Sequence, residues 1–278
     1  MVELFYALAA TLTGFAVSVE ILYSGLRKKK IYGARDCAAN LILYAGFFAI
    51  NLIWAHWILA IYVHLSDHAL VQLTSGGWHV GTNGLWWEWL LLFILEDLCF
   101  YGFHRASHRV QLFWASHVTH HSSAFFNMSV AFRQTWIPFP AILFWLPLPL
   151  LGFDPLMIMI VQACSLLYQE LLHTRAVPRL GPLEWIFNTP QHHAVHHASN
   201  AAHLDKNYGG VLIIWDRLFG SFSRQNDEPL RFGLTVPVTS NNPIYLAFHG
   251  WLETAGLAVR ERSLRPLLAP PPRYESRR

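Results

Sequence analysis

Apolar and polar positions fall in long blocks along this chain rather than in the short periods of a water-soluble fold. Apolar stretches cover 4–22, 38–63, 85–103, 136–151 and 155–172, each closed by a polar or turn-forming break. A helix needs about 20 apolar residues to cross a bilayer, and the first three stretches reach that length. The fourth carries Pro138, Pro140, Pro147 and Pro149, so its helix must be kinked or interrupted. It meets the fifth at Gly152-Phe153-Asp154-Pro155, a turn signal, so the pair either crosses obliquely or forms a re-entrant hairpin. Beyond Thr174 the chain is more polar. The stretch 244–259 is apolar but holds His249 and Glu253, which predicts a buried or interfacial helix. The pattern predicts an all-α fold: a polytopic membrane bundle of four to five apolar segments, in one domain over 1–278 with its core at 90–225. The Pro- and Arg-rich tail, 269–278, is expected to be disordered.

Composition agrees with lipid as part of the solvent. The chain is 54% hydrophobic and 13% charged, against about a quarter charged in soluble domains. A net charge of +3 is too small to argue for nucleic acid, and the one basic run, Arg27 to Lys30, adjoins an apolar stretch as a stop signal does. The first stretch lacks a basic leader and a small-residue cleavage site, so a retained helix fits it better than a secretory signal. Cys37, Cys99 and Cys164 are scattered among apolar neighbours and exclude a disulfide framework or a thiolate metal site.

Charge also orients the bundle. No Lys or Arg lies between Arg35 and Arg105, or between Arg133 and Arg175. The positive-inside rule then puts the basic connections on the cytoplasmic face and the loop 64–88 outside. Trp54, Trp57, Trp78, Trp86 and Trp87 would form the outer aromatic belt.

The candidate chemistry lies in one residue type at repeated spacings. His104 and His108 are four apart; His117, His120 and His121 stand at i, i+3 and i+4; His193, His196 and His197 repeat that pattern; His173 stands alone after the fifth stretch. Side chains three or four apart share a helix face about 5–6 Å apart, so they can reach one metal ion or straddle two. Each group follows a basic boundary or the inner end of a span, forming a histidine-rich cap at the cytoplasmic edge. Crowded imidazoles are electrostatically poor if protonated, and a metal removes that difficulty. Imidazole suits zinc, copper, iron and nickel alike, but nine ligands exceed one zinc site, so two metals are the simplest count. Haem is a competitor, although its ligands would sit singly inside spans. His56, His64, His68, His79 and His249 read as ordinary surface or core histidines, and His203 lies outside any spacing.

These motifs resemble the fatty acid hydroxylase (sterol desaturase) superfamily of membrane di-iron enzymes, whose HxxxH, HxxHH and later HxxHH boxes match His104–His108, His117–His121 and His193–His197. The stretches FYGFHRASH, WASHVTHHSS and FNMSVAFR, with GPLEWIFNTPQHHAVHHASN and LDKNYGGVLIIWDRLFGSF, look most like the alkylglycerol monooxygenase branch. That branch commonly has acidic residues where this chain has Arg109 and Ala124. The resemblance implies two irons per chain, O2, a membrane lipid substrate, and a cytoplasmic reductant: tetrahydrobiopterin in that branch, a cytochrome or ferredoxin in others. Other branches hydroxylate acyl chains or desaturate sterols. It also implies a bacterial inner membrane or the endoplasmic reticulum as location, with iron held by His104, His108, His117, His120, His121, His173, His193, His196 and His197. Asp97, two turns before His104 on the same face, together with Asn200 and Asp205, are candidates to accept imidazole N–H bonds and support the reaction, with Glu170 and Asn188 as further acceptors.

Overall fold

The computed structural model describes residues 2–28, 30–71 and 85–271. Ten α-helices follow in order: α1 (Val2–Leu26), α2 (Ala34–Asp67), α3 (Trp86–Arg109), α4 (Gln111–His121), α5 (Pro147–Leu150), α6 (Pro155–Glu170), α7 (Pro190–His196), α8 (Ile214–Leu218), α9 (Pro243–Glu261) and α10 (Arg265–Leu268). Only isolated bridges, Phe187 with Leu212 and Ala198 with Phe232, pair extended backbone among the described residues.

Four of the five apolar stretches are helices, α1, α2, α3 and α6. The fourth is not. Its prolines, which remove N–H donors and clash with the preceding turn, leave a 3₁₀ segment over Phe139–Phe144 and the single turn of α5. Asp154 then caps α6, accepting from the Leu156 and Met157 N–H groups, with Pro155 in the first turn where its missing donor costs nothing. The turn between α5 and α6 meets the end of α2: Leu70 N–H donates to the Leu150 carbonyl and Ser66 Oγ to the Phe153 carbonyl. Segments 139–150 and 155–170 therefore run from the histidine end of the bundle to the far end of α2 and back.

Packing among α2, α3, α5 and α6 encloses Tyr62, Leu92, Leu148, Phe153 and Ile158, with Trp145 donating its indole N–H to Glu96 Oε1 at 3.1 Å. Outward rows are apolar as well: Phe15 of α1 is 68% exposed and Ile53 of α2 66%. Helices with apolar side chains on the outside as well as the inside suit lipid surroundings. Among the described residues α2 is the one helix long and apolar enough to cross a membrane, with a mean hydropathy of 1.7. Of the expected belt, Trp54, Trp57, Trp86 and Trp87 are exposed, while Trp78 lies outside the described residues, as does His79. Most of the tail expected to be disordered, from 272 onward, also lies outside them.

At the other end, two buried charges fasten the bundle. Arg133, 1% exposed, donates to Asp36 Oδ1 at 3.0 Å and Asn40 Oδ1 at 2.7 Å on α2, and to Ser122 Oγ at 2.8 Å just after α4. Glu20 of α1 accepts from Tyr32 Oη, Met128 N and Thr174 Oγ1, the last beside His173. Helix α9, capped by Asn242, lies along α4. Thr119 Oγ1 donates to the Leu246 carbonyl, and Gly250 leaves no room for a Cβ, which would stand 2.4 Å from Val118 Cγ1.

Candidate metal centre

Helix α3 runs past its apolar stretch to Arg109, so it presents His104 and His108 on one face. Helix α4 returns at once with His117, His120 and His121; His173 follows the end of α6; α7 carries His193 and His196, with His197 directly after it. The nine rings converge in two adjoining sets. His104, His108, His117, His121 and His196 form one; His120, His173, His193 and His197 form the other, and within each the potential ligand atoms lie within 4.8 Å of one another. His121 and His197 stack at 4.4 Å between centroids where the sets meet.

The geometry is that of ligands facing a cation. Nε2 of His117 lies 3.0 Å from Nε2 of both His104 and His121, and His196 Nε2 lies 3.2 Å from that of His121. In the second set His173 Nε2 is 3.1 Å from His120 Nε2 and 3.0 Å from His193 Nε2. Ligands about 2.1 Å from one ion and at right angles stand about 3.0 Å apart, which these separations match. Tautomers agree. His104 Nδ1 faces the Tyr208 carbonyl at 2.8 Å, His196 Nδ1 the Lys206 carbonyl at 2.8 Å, and His173 Nδ1 the Gln169 carbonyl at 3.0 Å. A carbonyl accepts only, so each of these Nδ1 atoms carries the proton and each Nε2 turns a lone pair toward its neighbours. His108 sets Nδ1 3.9 Å from Asp205 Oδ1 and has a buried Nε2 with no hydrogen-bond partner among the described residues. Burial first, and the neighbouring imidazoles in most cases, push all nine pKa values below the ordinary histidine range, those of His173 and His196 to about 4. Neutral imidazole is the form that binds metal.

Nitrogen atoms 3.0–3.2 Å apart leave no room for a macrocycle between them, which sets the haem reading aside.

The acids and amides expected to accept imidazole N–H bonds sit elsewhere, with the exception of Asp205. Asp97 is fully buried, but its carboxylate accepts from Val211 N at 2.7 Å, Leu212 N at 3.1 Å and Trp215 Nε1 at 2.9 Å. Asn200 ties the 229–231 segment, donating to the Pro229 carbonyl and accepting from Arg231 N. Glu170 accepts from Thr13, and Asn188 donates to the Gly209 and Gly210 carbonyls. A carboxylate paired with several backbone N–H groups is already satisfied, so the rings turn to main-chain carbonyls instead. Asp205 alone lies close to a set, with Arg109 Nε 3.9 Å from its other oxygen.

The loop 205–212 supplies two of those carbonyls; Asn207, Tyr208 and Gly209-Gly210 read as a turn in the sequence, but their part in orienting the rings does not. Asp205 and Asn207 both adopt positive φ, 59° and 56°, which Asp and Asn tolerate better than other residues with a Cβ. Asp216 accepts from Tyr208 N and Gly209 N, so with Asp97 it holds four backbone N–H groups of this loop. Gly210 is required by close approach: a Cβ there would lie 2.7 Å from Phe100 Cδ1 and 3.0 Å from Asp97 Oδ1. The remaining histidines among the described residues stay outside both sets. His56, His68 and His249 bond to local carbonyls, His203 to Ser223 and Asn226, and His192 lies 4.0 Å from Glu184.

Residues 89–221, which contain every ring of both sets, match the family model of the fatty acid hydroxylases. The stretch 89–221 is similar to a fatty acid hydroxylase domain. The chain is similar to alkylglycerol monooxygenase of Homo sapiens, at 44% identity over 59% of the chain and 36% of that protein. Alkylglycerol monooxygenase of Danio rerio is 46% identical over 55% of the chain and 34% of the relative. Ornithine lipid hydroxylase OlsE of Rhizobium tropici is 33% identical over 46% of the chain and 40% of its own length. The chain thus spans about a third of the length of the monooxygenases it matches. No solved structure matches the chain.

Proposed function

We propose that this protein is an integral-membrane di-iron oxygenase that hydroxylates a lipid chain with O2 and reducing equivalents from the cytoplasm. The observation that carries the proposal is the division of nine neutral imidazoles, seven buried and two half-buried, into two adjoining sets with their nitrogen lone pairs converging. The five-ring set would hold one iron and the four-ring set the other. Irons bound there supply the redox chemistry by which one oxygen atom of O2 enters a C–H bond and the other leaves as water, with two electrons and two protons from the reductant.

The chain's own residues do the holding and the excluding. Carbonyls of Tyr208, Lys206 and Gln169 fix three rings in the ligating tautomer, and Asp97 and Asp216 fix the loop that presents two of them. Phe126, against His173, His193 and His197, closes the four-ring set with an apolar wall. On this reading α1, α2, α3 and the paired segments 139–150 and 155–170 cross the membrane, and the histidine cap faces the cytoplasm. Its support is the restriction of Lys and Arg to the histidine end, interrupted from Arg35 to Arg105 and from Arg133 to Arg175. The relatives act, by name, on alkylglycerols and an ornithine lipid, so the substrate class is a polar lipid with a long alkyl or acyl chain. Tetrahydrobiopterin, or a cytochrome or ferredoxin, would deliver the electrons.

Purified protein should hold two irons per chain and consume a lipid in an O2-dependent way. Lipid profiles of cells making the native chain or His120→Ala would name the substrate. Zinc alone, with no turnover under any reductant, overturns the proposal.

A further inference from the structure

The polar cap carries an apolar surface that the metal chemistry does not use. Leu180, Leu183, Trp185, Ile186, Leu218 and Phe219 are all exposed, Leu218 to 70% and Trp185 to 60%. They belong to two pieces joined by one backbone pair and by the Arg217 side chain. Ile213 N–H donates to the Ile186 carbonyl, and Arg217 donates to the Trp185 and Glu184 carbonyls at 3.1 and 2.9 Å. Side chains held on so rigid a frame are presented outward, not left over from a loose loop.

The rim of this surface is basic. The Arg217 guanidinium lies 4.4 Å from the Trp185 ring centroid and 3.8 Å from that of Phe222, and Arg224 lies 5.8 Å from Trp185. Arg179 is exposed beside Leu180. Glu184, the acid within the segment, turns inward, accepting from Leu180 N and lying 4.0 Å from His192.

Its position decides among partners. Phe219 stacks on Tyr101 of α3 at 5.4 Å, one turn before Arg105, whose guanidinium donates to Tyr101 Oη. Ile186 leads through the Phe187–Leu212 bridge to Val211, which lines a groove of about 350 Å³ between α3 and α6 with Trp89, Phe93 and Ile160. The patch is therefore continuous with the apolar outer wall of the bundle, at the level where the apolar stretch of α3 gives way to arginine. Aromatic and aliphatic side chains with arginines at that level suit the boundary between acyl chains and headgroups.

We infer that 180–186 and 218–219 form an interfacial foot, seated in the bilayer leaflet on the histidine side with its arginines on anionic lipid headgroups. The inference rests on the membrane reading above. Single cysteines at Leu183→Cys and Leu218→Cys, in a background lacking Cys37, Cys99 and Cys164, test it. Ile53→Cys on α2 serves as the lipid reference and Asp227→Cys as the water reference. The labelled full chain is placed in phosphatidylcholine nanodiscs with and without phosphatidylglycerol. Labels at 183 and 218 should be quenched by lipid-borne nitroxide as at 53, and shielded from iodide several-fold relative to 227. Shielding should increase with phosphatidylglycerol, and Arg179→Gln with Arg224→Gln should abolish the increase. Iodide access equal to that at 227, with 53 still reporting lipid, overturns the foot alone. Shielding from both quenchers overturns it in favour of a protein partner, such as a second copy. Iodide access at 53 as well overturns the membrane reading and the foot with it.

Discussion

Replacing Asp97 by Asn separates a positioning role from a ligand role. The carboxylate, fully buried two turns along α3 from His104, accepts three N–H groups: Val211 N at 2.7 Å on one oxygen, Leu212 N at 3.1 Å and Trp215 Nε1 at 2.9 Å on the other. Asn keeps one acceptor oxygen, which can still serve Leu212 N and Trp215 Nε1, and turns its NH2 group toward Val211 N, so at least one bond is lost and donor faces donor. Hydrogen bonds to a charged group contribute about 1.5–3 kcal/mol each, so the gross loss is at least about 1.5–3 kcal/mol. Relief from burying a carboxylate offsets part of it, leaving a net cost of about 1–2 kcal/mol. That cost falls on the loop 208–212, whose Tyr208 carbonyl holds His104 Nδ1 at 2.8 Å. Loss of such an orienting contact lowers metal affinity about 10–100-fold. The assay is metal retained against a graded chelator, read beside the melting temperature of the metal-free protein. Asp97→Asn should shift the chelator midpoint by about one to two decades and lower the metal-free melting point as well. Unchanged retention and an unchanged melting point would refute the reasoning, because the three bonds would then carry nothing.

The two-set division predicts that His120→Ala and His104→Ala each cost about one of two metals rather than both, measured as metal per chain after desalting. Asp36→Leu strands the buried Arg133 guanidinium and should destabilise the fold by about 3–5 kcal/mol, with Asp36→Leu/Arg133→Leu recovering part of it in thermal melts. For the metal-free protein the sign of the pH effect follows from burial. His173 and His196 have folded pKa values of about 4, below the unfolded value of about 6.5, so the unfolded chain takes up protons first. Stability is fully present above about pH 6.5 and is lost as pH falls from there toward about 4, which melting curves across that window check. Gly250→Val drives a side chain into Val118 and the Ala115 carbonyl, so it should separate α9 from α4 and lower metal content along with the melting point.

What the sequence made legible was whatever side-chain type and spacing carry. The i, i+4 rule, applied to HxxHH, allowed three imidazoles to straddle two ions, and the boxes divide in that way. His117 and His121 fall in the five-ring set while His120 falls in the other; His193 and His197 fall in the four-ring set while His196 crosses to the first. Each box thus contributes its i, i+4 pair to one set and its i+3 ring to the neighbouring set, which is why the two sets adjoin rather than stand apart. The prolines of the fourth apolar stretch likewise foretold its broken helix.

The orientation of the rings was not legible, for a physical reason. Acids near a histidine in sequence look like its hydrogen-bond partners, yet a buried carboxylate is best satisfied by clustered backbone N–H groups, and Asp97 and Asp216 take four such groups from one loop. The acceptors that fix His104 and His196 are main-chain carbonyls, which every residue has and no composition reveals. Their aim depends on two positive-φ residues, Asp205 and Asn207, about a hundred residues from His104 in the chain. Arg133 was read as a topological marker only; its role in joining α2 to the end of α4 depends on Asp36 and Asn40, nearly a hundred residues upstream. Local spacing therefore set which rings could share an ion, while long-range backbone contacts set which nitrogen each ring would offer. A substitution that spares all nine histidines but moves the 205–212 loop should consequently disarm the site as effectively as removing a ligand.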